Sequence, residues 1–264
     1  MARAALRTPL FVACLLAAAA VLTGSAVPRQ PLQLLQLNLC ASGQAGCFTG
    51  RSIAEADTVI RATAPDVVTL NEICAGDVRT LERVLADVRR GEVTSAFIAA
   101  PDRPSGEPTR CRDGQEYGIG LLAYIPATAE GHTYRGAYPM QDSTDPEERV
   151  WLCVHATNRF HACTTHLASQ NPPVAQAQCR HLLTVTIPGL HARDGYDPTV
   201  VAGDFNLRYG AAPDLRPCVP DGWFRLGDGG LQHILATDDF TVRSTRWIDM
   251  RRTTDHPGLF VTFE

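Results

Sequence analysis

The stretch Thr199-Val-Val-Ala-Gly-Asp-Phe-Asn206 passes directly from an apolar, β-branched run to a carboxylate and an amide. The run Thr199–Ala202 reads as a buried strand, so Asp204 and Asn206 stand at its end. The same arrangement recurs outward from it. Asn38 lies at the end of the run Leu32–Leu39, and Glu72 follows Asp66–Leu70. His166 ends Phe160–His166. Asp255 and His256 sit in Thr253-Thr-Asp-His-Pro257, just ahead of Leu259–Phe263. Further strands are expected at Ile119–Ile125, Val150–Ala156 and Gln232–Ala236. Several of these runs are continuous rather than alternating, which fits strands covered on both faces.

Helical signals fall between some of the strands. Ser52-Ile-Ala-Glu55 has the form of a capping box, opening a helix that runs to Ala64 ahead of Pro65. Val78, Leu81, Leu85 and Val88 form one apolar stripe of a second helix. A third is expected from Val174 to Thr186, stopped by Pro188. The connecting loops are Pro101–Glu116, Pro139–Glu148 and Leu207–Gly222. Helices alternate with strands early and strands dominate late, which points to α/β layers around a mixed or largely antiparallel sheet.

The chain has 264 residues, 45% hydrophobic and 20% charged, which excludes a disordered or fibrous protein. Residues 1–26 place Arg3 and Arg7 before an apolar run from Leu10 to Leu22, followed by small residues. That is the pattern of a signal peptide cut after Ala26, and the run is shorter than the ~20 residues of a membrane anchor. One domain is then expected over 27–264, exported, without a stable membrane anchor, and monomeric. Its net charge becomes -6, since Arg3 and Arg7 leave with the segment. Cys14 leaves too, so the nine cysteines become eight: 40, 47, 74, 111, 153, 163, 179 and 218. An even set in an exported chain suggests four disulfides, although eight cysteines allow 105 pairings. Local spacing favours Cys40–Cys47, and a hairpin turning near Thr157-Asn158 favours Cys153–Cys163. Cys74–Cys111 and Cys179–Cys218 complete the set. A zinc site would compete for the same residues, but no CxxC pair exists.

Three carboxylates, two histidines and two asparagines at strand ends could hold a hard cation and leave imidazoles for phosphate or proton transfer. Singly, each has an ordinary structural reading. Gly203-Asp-Phe-Asn206 and Thr254-Asp-His256 could be turns, and His166 a satisfied structural histidine. Their order and spacing, however, resemble the endonuclease/exonuclease/phosphatase superfamily, the deoxyribonuclease I-like enzymes. The matching parts are Leu37-Asn38, Pro65–Glu72, Tyr117–Leu122, Glu148-Arg149, Thr165-His166-Leu167, Gly203–Asn206 and Thr254–His256.

That resemblance implies a four-layer α/β/β/α sandwich, with two packed mixed β-sheets flanked by helices. It also implies Mg2+, or Mn2+ or Ca2+ in its place. Glu72 would be the main metal ligand, with Asn38 beside it and Asp255 near the same ion or a second one. Asp204 would orient or deprotonate the attacking water, and Asn206 would hold it or the phosphate. His166 and His256 would bind phosphate oxygens, one of them relaying a proton. Arg149 would meet the phosphate, unless it forms a surface ion pair with Glu147 or Glu148. Two positions depart from the family pattern. Gln232 stands where an aspartate usually supports the catalytic histidine, and its oxygen is expected to accept the His256 ring N–H, with Asp228 or Asp238 as substitutes. Cys40 stands where many relatives carry a polar ligand.

The expected activity is hydrolysis of phosphodiester bonds by an exported Mg2+-dependent phosphohydrolase, first as a nuclease on extracellular DNA. All 24 basic residues are arginine, clustered at Arg89-Arg90, Arg103–Arg112 and Arg243–Arg252, where they could track a phosphate backbone. A sphingomyelinase-like phospholipase C is the alternative. It would need exposed apolar side chains, for which Trp151, Trp223, Phe224 and Trp247 are available. A small phosphate-ester phosphatase and a binding module without catalysis come after these.

Overall fold

The computed structural model describes Met1 and residues 31–126 and 129–264. The expected signal segment 1–26, with Cys14 and the cleavage point after Ala26, lies apart from Met1 outside the described residues. Strands β1 (Leu32–Asn38), β2 (Val67–Cys74), β3 (Val93–Ala99), β4 (Tyr117–Tyr124), β11 (Val242–Ile248) and β12 (Gly258–Phe263) form one sheet, in the order β11-β12-β1-β2-β4-β3. Strands β5 (Gly131–Ala137), β6 (Val150–Ala156), β7 (Phe160–His166), β8 (Thr199–Asp204), β9 (Trp223–Gly227) and β10 (Gln232–Thr237) form the other, in the order β5-β6-β7-β8-β10-β9. Each is mixed: β1 runs parallel to β2 and β7 parallel to β8, and the other pairings are antiparallel.

Alternate residues of the central strands explain the layers. Leu34 and Val67 of the first sheet meet Leu152, Val154, Ala162, Val200 and Ile234 of the second in the core between the sheets. Leu35, Leu37, Val68 and Leu70 face the other way, onto helices α1 (Ser52–Thr63) and α2 (Ala75–Arg89). Cys163, Val201 and Leu235 face α3 (Pro172–His181) and α4 (Ile187–Asp194). Both faces of each sheet are covered, which is why its central strands read as continuous apolar runs. The four-layer sandwich expected from the sequence is the architecture observed.

Local expectations fared unevenly. The helix at Ser52 starts on time, but no capping box forms: Arg51 occupies the cap position, without a capping side chain, and Glu55 pairs with Arg251 instead, at 3.4 Å. On α2 the buried stripe is Val78, Leu81, Val84 and Leu85, with Val88 only half-buried. Pro188 does not stop the third helix. A π-turn at Leu182–Thr186 absorbs the register change, and α4 carries on with the proline near its start, where a missing N–H costs little. Strands β3, β5, β9 and β11 escaped the sequence reading because all four lie at sheet edges and present half-buried or exposed side chains. All four expected cysteine pairs are at bonding distance: Cys40–Cys47, Cys74–Cys111, Cys153–Cys163 and Cys179–Cys218.

Candidate active site

Residue Glu72 sits on a deformation of β2. Pairing with β4 shifts register between Leu70 and Ile73, and Glu72 adopts a left-handed backbone at φ 53°. A non-glycine residue held there costs about 1–3 kcal/mol, and such bulges re-aim a side chain. Here the carboxylate is turned into a cleft of about 550 Å³ at the end of the strands. Disulfide Cys74–Cys111 follows two residues later and ties the Pro101–Glu116 loop, one wall of the cleft, to the same strand.

Asn38, at the end of β1, joins carboxylates from the two sheets. Its Nδ2 donates to Glu72 Oε1 at 2.8 Å and to Asp204 Oδ2 at 3.1 Å. Asp204 is buried at the end of β8. The Asn206 N–H donates to its Oδ1 at 2.9 Å, so Gly203-Asp-Phe-Asn206 is both a turn and a wall of the cleft. Asn206 has φ 51°, and its Nδ2 donates to the Leu167 carbonyl at 2.9 Å. Gly203 is required: any Cβ there would collide with the Thr165 carbonyl oxygen of β7. From the Thr253–Pro257 loop, His256 places Nε2 3.4 Å from Asp204 Oδ2 and 3.8 Å from Asp255 Oδ1. The Thr254 hydroxyl donates to the Asn38 carbonyl at 3.0 Å and anchors this loop to β1. Asp255 itself is exposed and is not among the residues that line the cleft.

His166 has a defined tautomer. Its Nδ1 lies 3.2 Å from an Arg149 guanidinium nitrogen, which can only donate, so Nδ1 accepts and the proton resides on Nε2. That nitrogen is 4.0 Å from Glu72 Oε1. Burial, followed by the charges of Arg149 and His256, holds His166 well below the usual histidine range. It is therefore a neutral hydrogen-bond donor. Arg149 lines the cleft, and it also forms the ion pair that was its alternative reading, but with a buried guanidinium, to Asp145 at 2.8 Å and Glu147 at 2.9 Å. Burial raises Glu147 to about 7, with Asp145 and Glu72 adding to the effect and Arg149 opposing it.

Gln232 is not brought to the cleft. It is fully buried; its Nε2 donates to the Pro257 carbonyl at 2.7 Å and its Oε1 accepts from Gln36 at 3.2 Å. It supports the loop carrying His256 without accepting from that ring. Asp228 caps the turn at Gly230 instead, and Asp238 stands exposed in the turn after β10. Sequence reasoning assigned no role to the network around Gln232. Gln36 also donates to Asn71 Oδ1 at 2.8 Å, Thr69 donates to Gln36, and Asn71 Oδ1 accepts the Asp204 N–H at 2.8 Å. Polar residues at 36, 69 and 71 inside apolar strands were the available signal.

The cleft floor is acidic. Glu72, Asp102, Asp145, Glu147 and Asp204 line it against Arg110 and Arg149, with His166 and His256. Burial raises the pKa of Glu72, and the Asp204 and Asp255 charges add to this against the Asn38 hydrogen bond and His256. Asp204 is raised by burial as well, partly offset by His256, Asn206 and Asn38. Among the described residues neither carboxylate is paired with an arginine. A close pair of carboxylates, short of positive charge and flanked by an amide, fits a hard divalent cation.

A family model described as "Endonuclease/Exonuclease/phosphatase family" matches residues 37–256. No curated protein matches the chain in sequence. Among solved structures, an endonuclease/exonuclease/phosphatase from Beutenbergia cavernae DSM 12333 superposes with a TM-score of 0.67 at 19% identity, covering 89% of this chain and 72% of that one. The human Nocturnin catalytic domain with bound sulfate gives 0.66 at 18%, covering 89% and 95%. D. rerio TDP2 complexed with single strand DNA product gives 0.61 at 15%, covering 89% and 99%. With the fold, the strand-end residues and the family model in agreement, the chain belongs to the endonuclease/exonuclease/phosphatase family of metal-dependent phosphoesterases.

Proposed function

We propose that the protein is an exported Mg2+-dependent phosphodiesterase that hydrolyses nucleic acid, DNA first. The observation that carries this reading is the convergence of Glu72, Asn38, Asp204, His166 and His256, from the strand ends of two sheets and one loop, on one acidic cleft. An acidic floor repels a phosphodiester unless a cation intervenes, and Mg2+ bound by one or two carboxylates plus substrate phosphate suits this donor set. Mn2+ or Ca2+ is the alternative ion for the same oxygen donors.

Glu72 and Asn38 would hold the ion, with Asp255 as a further ligand. The chemistry a bound divalent ion supplies is Lewis-acid polarisation of the phosphoryl group. Asp204 accepts the proton of the attacking water, its carboxylate fixed by the Asn206 N–H and Asn38 amide. His166 donates Nε2–H to a phosphate oxygen, and Arg149 holds that ring in its tautomer. His256 also lines the cleft and is the more exposed of the two rings, so any proton relay falls to it. Export is supported by the four cysteine pairs. TDP2 complexed with single strand DNA product is the neighbour that favours nucleic acid. A lipid substrate has less support: Trp151, Trp223 and Phe224 pack against the core, leaving Trp247 exposed.

The test is release from plasmid DNA, sphingomyelin and p-nitrophenyl phosphate esters, with Mg2+, with EDTA, and with Glu72→Ala. Plasmid cleavage that requires Mg2+ and disappears in Glu72→Ala is expected. No Mg2+-dependent release from any substrate would remove the enzymatic reading, and release from sphingomyelin alone would redirect it to lipid.

A further inference from the structure

The N-terminal end of β7 carries a second cluster of ligating side chains. His161 on β7 faces His155 on β6 directly across the ladder, and the two rings stack at 4.0 Å between centroids, tilted by 3°. His191 of α4 closes the far side of His161, with its ring edge-on at 5.0 Å. Asp197, on the loop entering β8, brings Oδ2 to 2.9 Å from His155 Nε2. Donor atoms of His155, His161 and Asp197 all lie within 4.8 Å of one another. Five residues of strand separate His161 from His166, placing the cluster about 17 Å from the cleft.

Three of these donors are unused. His155 and His161 are almost fully buried, yet His155 Nδ1 and both ring nitrogens of His161 meet no hydrogen-bond partner of normal geometry among the described residues. Buried imidazole nitrogens are nearly always bonded, so three orphans in one cluster call for a ligand. Packing alone does not ask for histidine here, since an apolar ring would stack as well.

We propose that His155, His161 and Asp197 form a second metal site, for a borderline transition-metal ion of the Zn2+ type, at the end of the sheet remote from the catalytic cleft. Imidazoles with one carboxylate select such an ion over Mg2+. Ligand atoms of a tetrahedral ion with bonds of about 2.1 Å lie about 3.4 Å apart, so the rings must tilt out of their stack to close on it. Water completes the coordination. Imidazole binds such an ion through the lone pair of its neutral form. The site is structural: it clamps the β6–β7 hairpin to the loop between α4 and β8, and it takes no part in phosphoester cleavage.

The experiment is titration of the chelator-treated chain with Co2+ in excess Mg2+, which keeps the catalytic carboxylates occupied. One equivalent of Co2+ should develop the visible absorption of a low-coordinate nitrogen-ligated ion, and Zn2+ should displace it. His161→Leu should abolish the band while Mg2+-supported cleavage persists. Asp197→Asn, at a partly exposed position that tolerates change, should weaken binding by about 100-fold and serves if the leucine variant does not fold. A band that survives in Asp197→Asn at wild-type affinity, or a wild-type chain that takes up Co2+ only where Glu72→Ala removes it, overturns the proposal.

Discussion

Strand β7 carries a histidine at each end, and the two are treated in opposite ways. His166 is locked: Arg149 fixes its tautomer, Asp145 and Glu147 fix Arg149, and the hydrogen-bonded set Gln36–Asn71–Gln232 supports the neighbouring Asp204 and the His256 loop. His161 is also buried, but among the described residues neither of its nitrogens finds a hydrogen-bond partner of normal geometry. The lesson is that burial alone does not mark a working imidazole. What surrounds its nitrogens decides whether it is a fixed donor or an open ligand.

Four experiments probe this contrast. At the locked end, Glu72→Ala should lower Mg2+-supported phosphodiester turnover by about 1,000-fold, measured as initial rates against wild type. Arg149→Met strips two half-buried carboxylates of their buried partner and should destabilise the fold by about 2–4 kcal/mol in urea denaturation. Adding Glu147→Gln to that variant should restore part of the loss.

At the open end the readout is pH. His161 has its folded pKa near 4, below the unfolded value near 6.5, so the unfolded chain binds the extra proton. With metal chelated, wild type should therefore lose stability relative to His161→Leu as pH falls from 6.5 to 4, by up to about 3 kcal/mol. Parallel curves for the two proteins would refute the burial argument. Gln232→Asp comes last. An ionised aspartate cannot donate to the Pro257 carbonyl, so a loss of about 1–2 kcal/mol is expected, read as a lowered denaturation midpoint. Unchanged stability would mean that Gln232 does not hold the His256 loop.

The sequence showed the central strands, and with them the ends at which Asn38, Glu72, His166, Asp204 and His256 stand, because residues covered on both faces leave an unbroken apolar run. Edge strands such as Gly131–Ala137 leave no such trace, and a proline rule misjudged α4 because a π-turn relieves the clash locally. The site's supports were hidden for a different reason. Gln36, Asn71 and Gln232 look like polar interruptions of strands until two sheets meet and their amides complete one another. Likewise, nothing local to Glu147-Glu-Arg149 says that the arginine turns inward beneath a histidine 17 residues later.

Strand β11 has a consequence for how the molecule survives in concentrated solution. Among the described residues it is the outermost strand of its sheet, exposed along nearly its whole length, with one side of its backbone unpaired by another strand. Arg243 and Arg246 project from it, the first paired with Glu264 and the second lying over Phe260, while a register shift near Val242 twists the strand. Charge and twist at an open border discourage edge-to-edge stacking into aggregates. Part of the arginine cluster that looked, in sequence, like a track for a phosphate backbone thus acts as a guard against self-association.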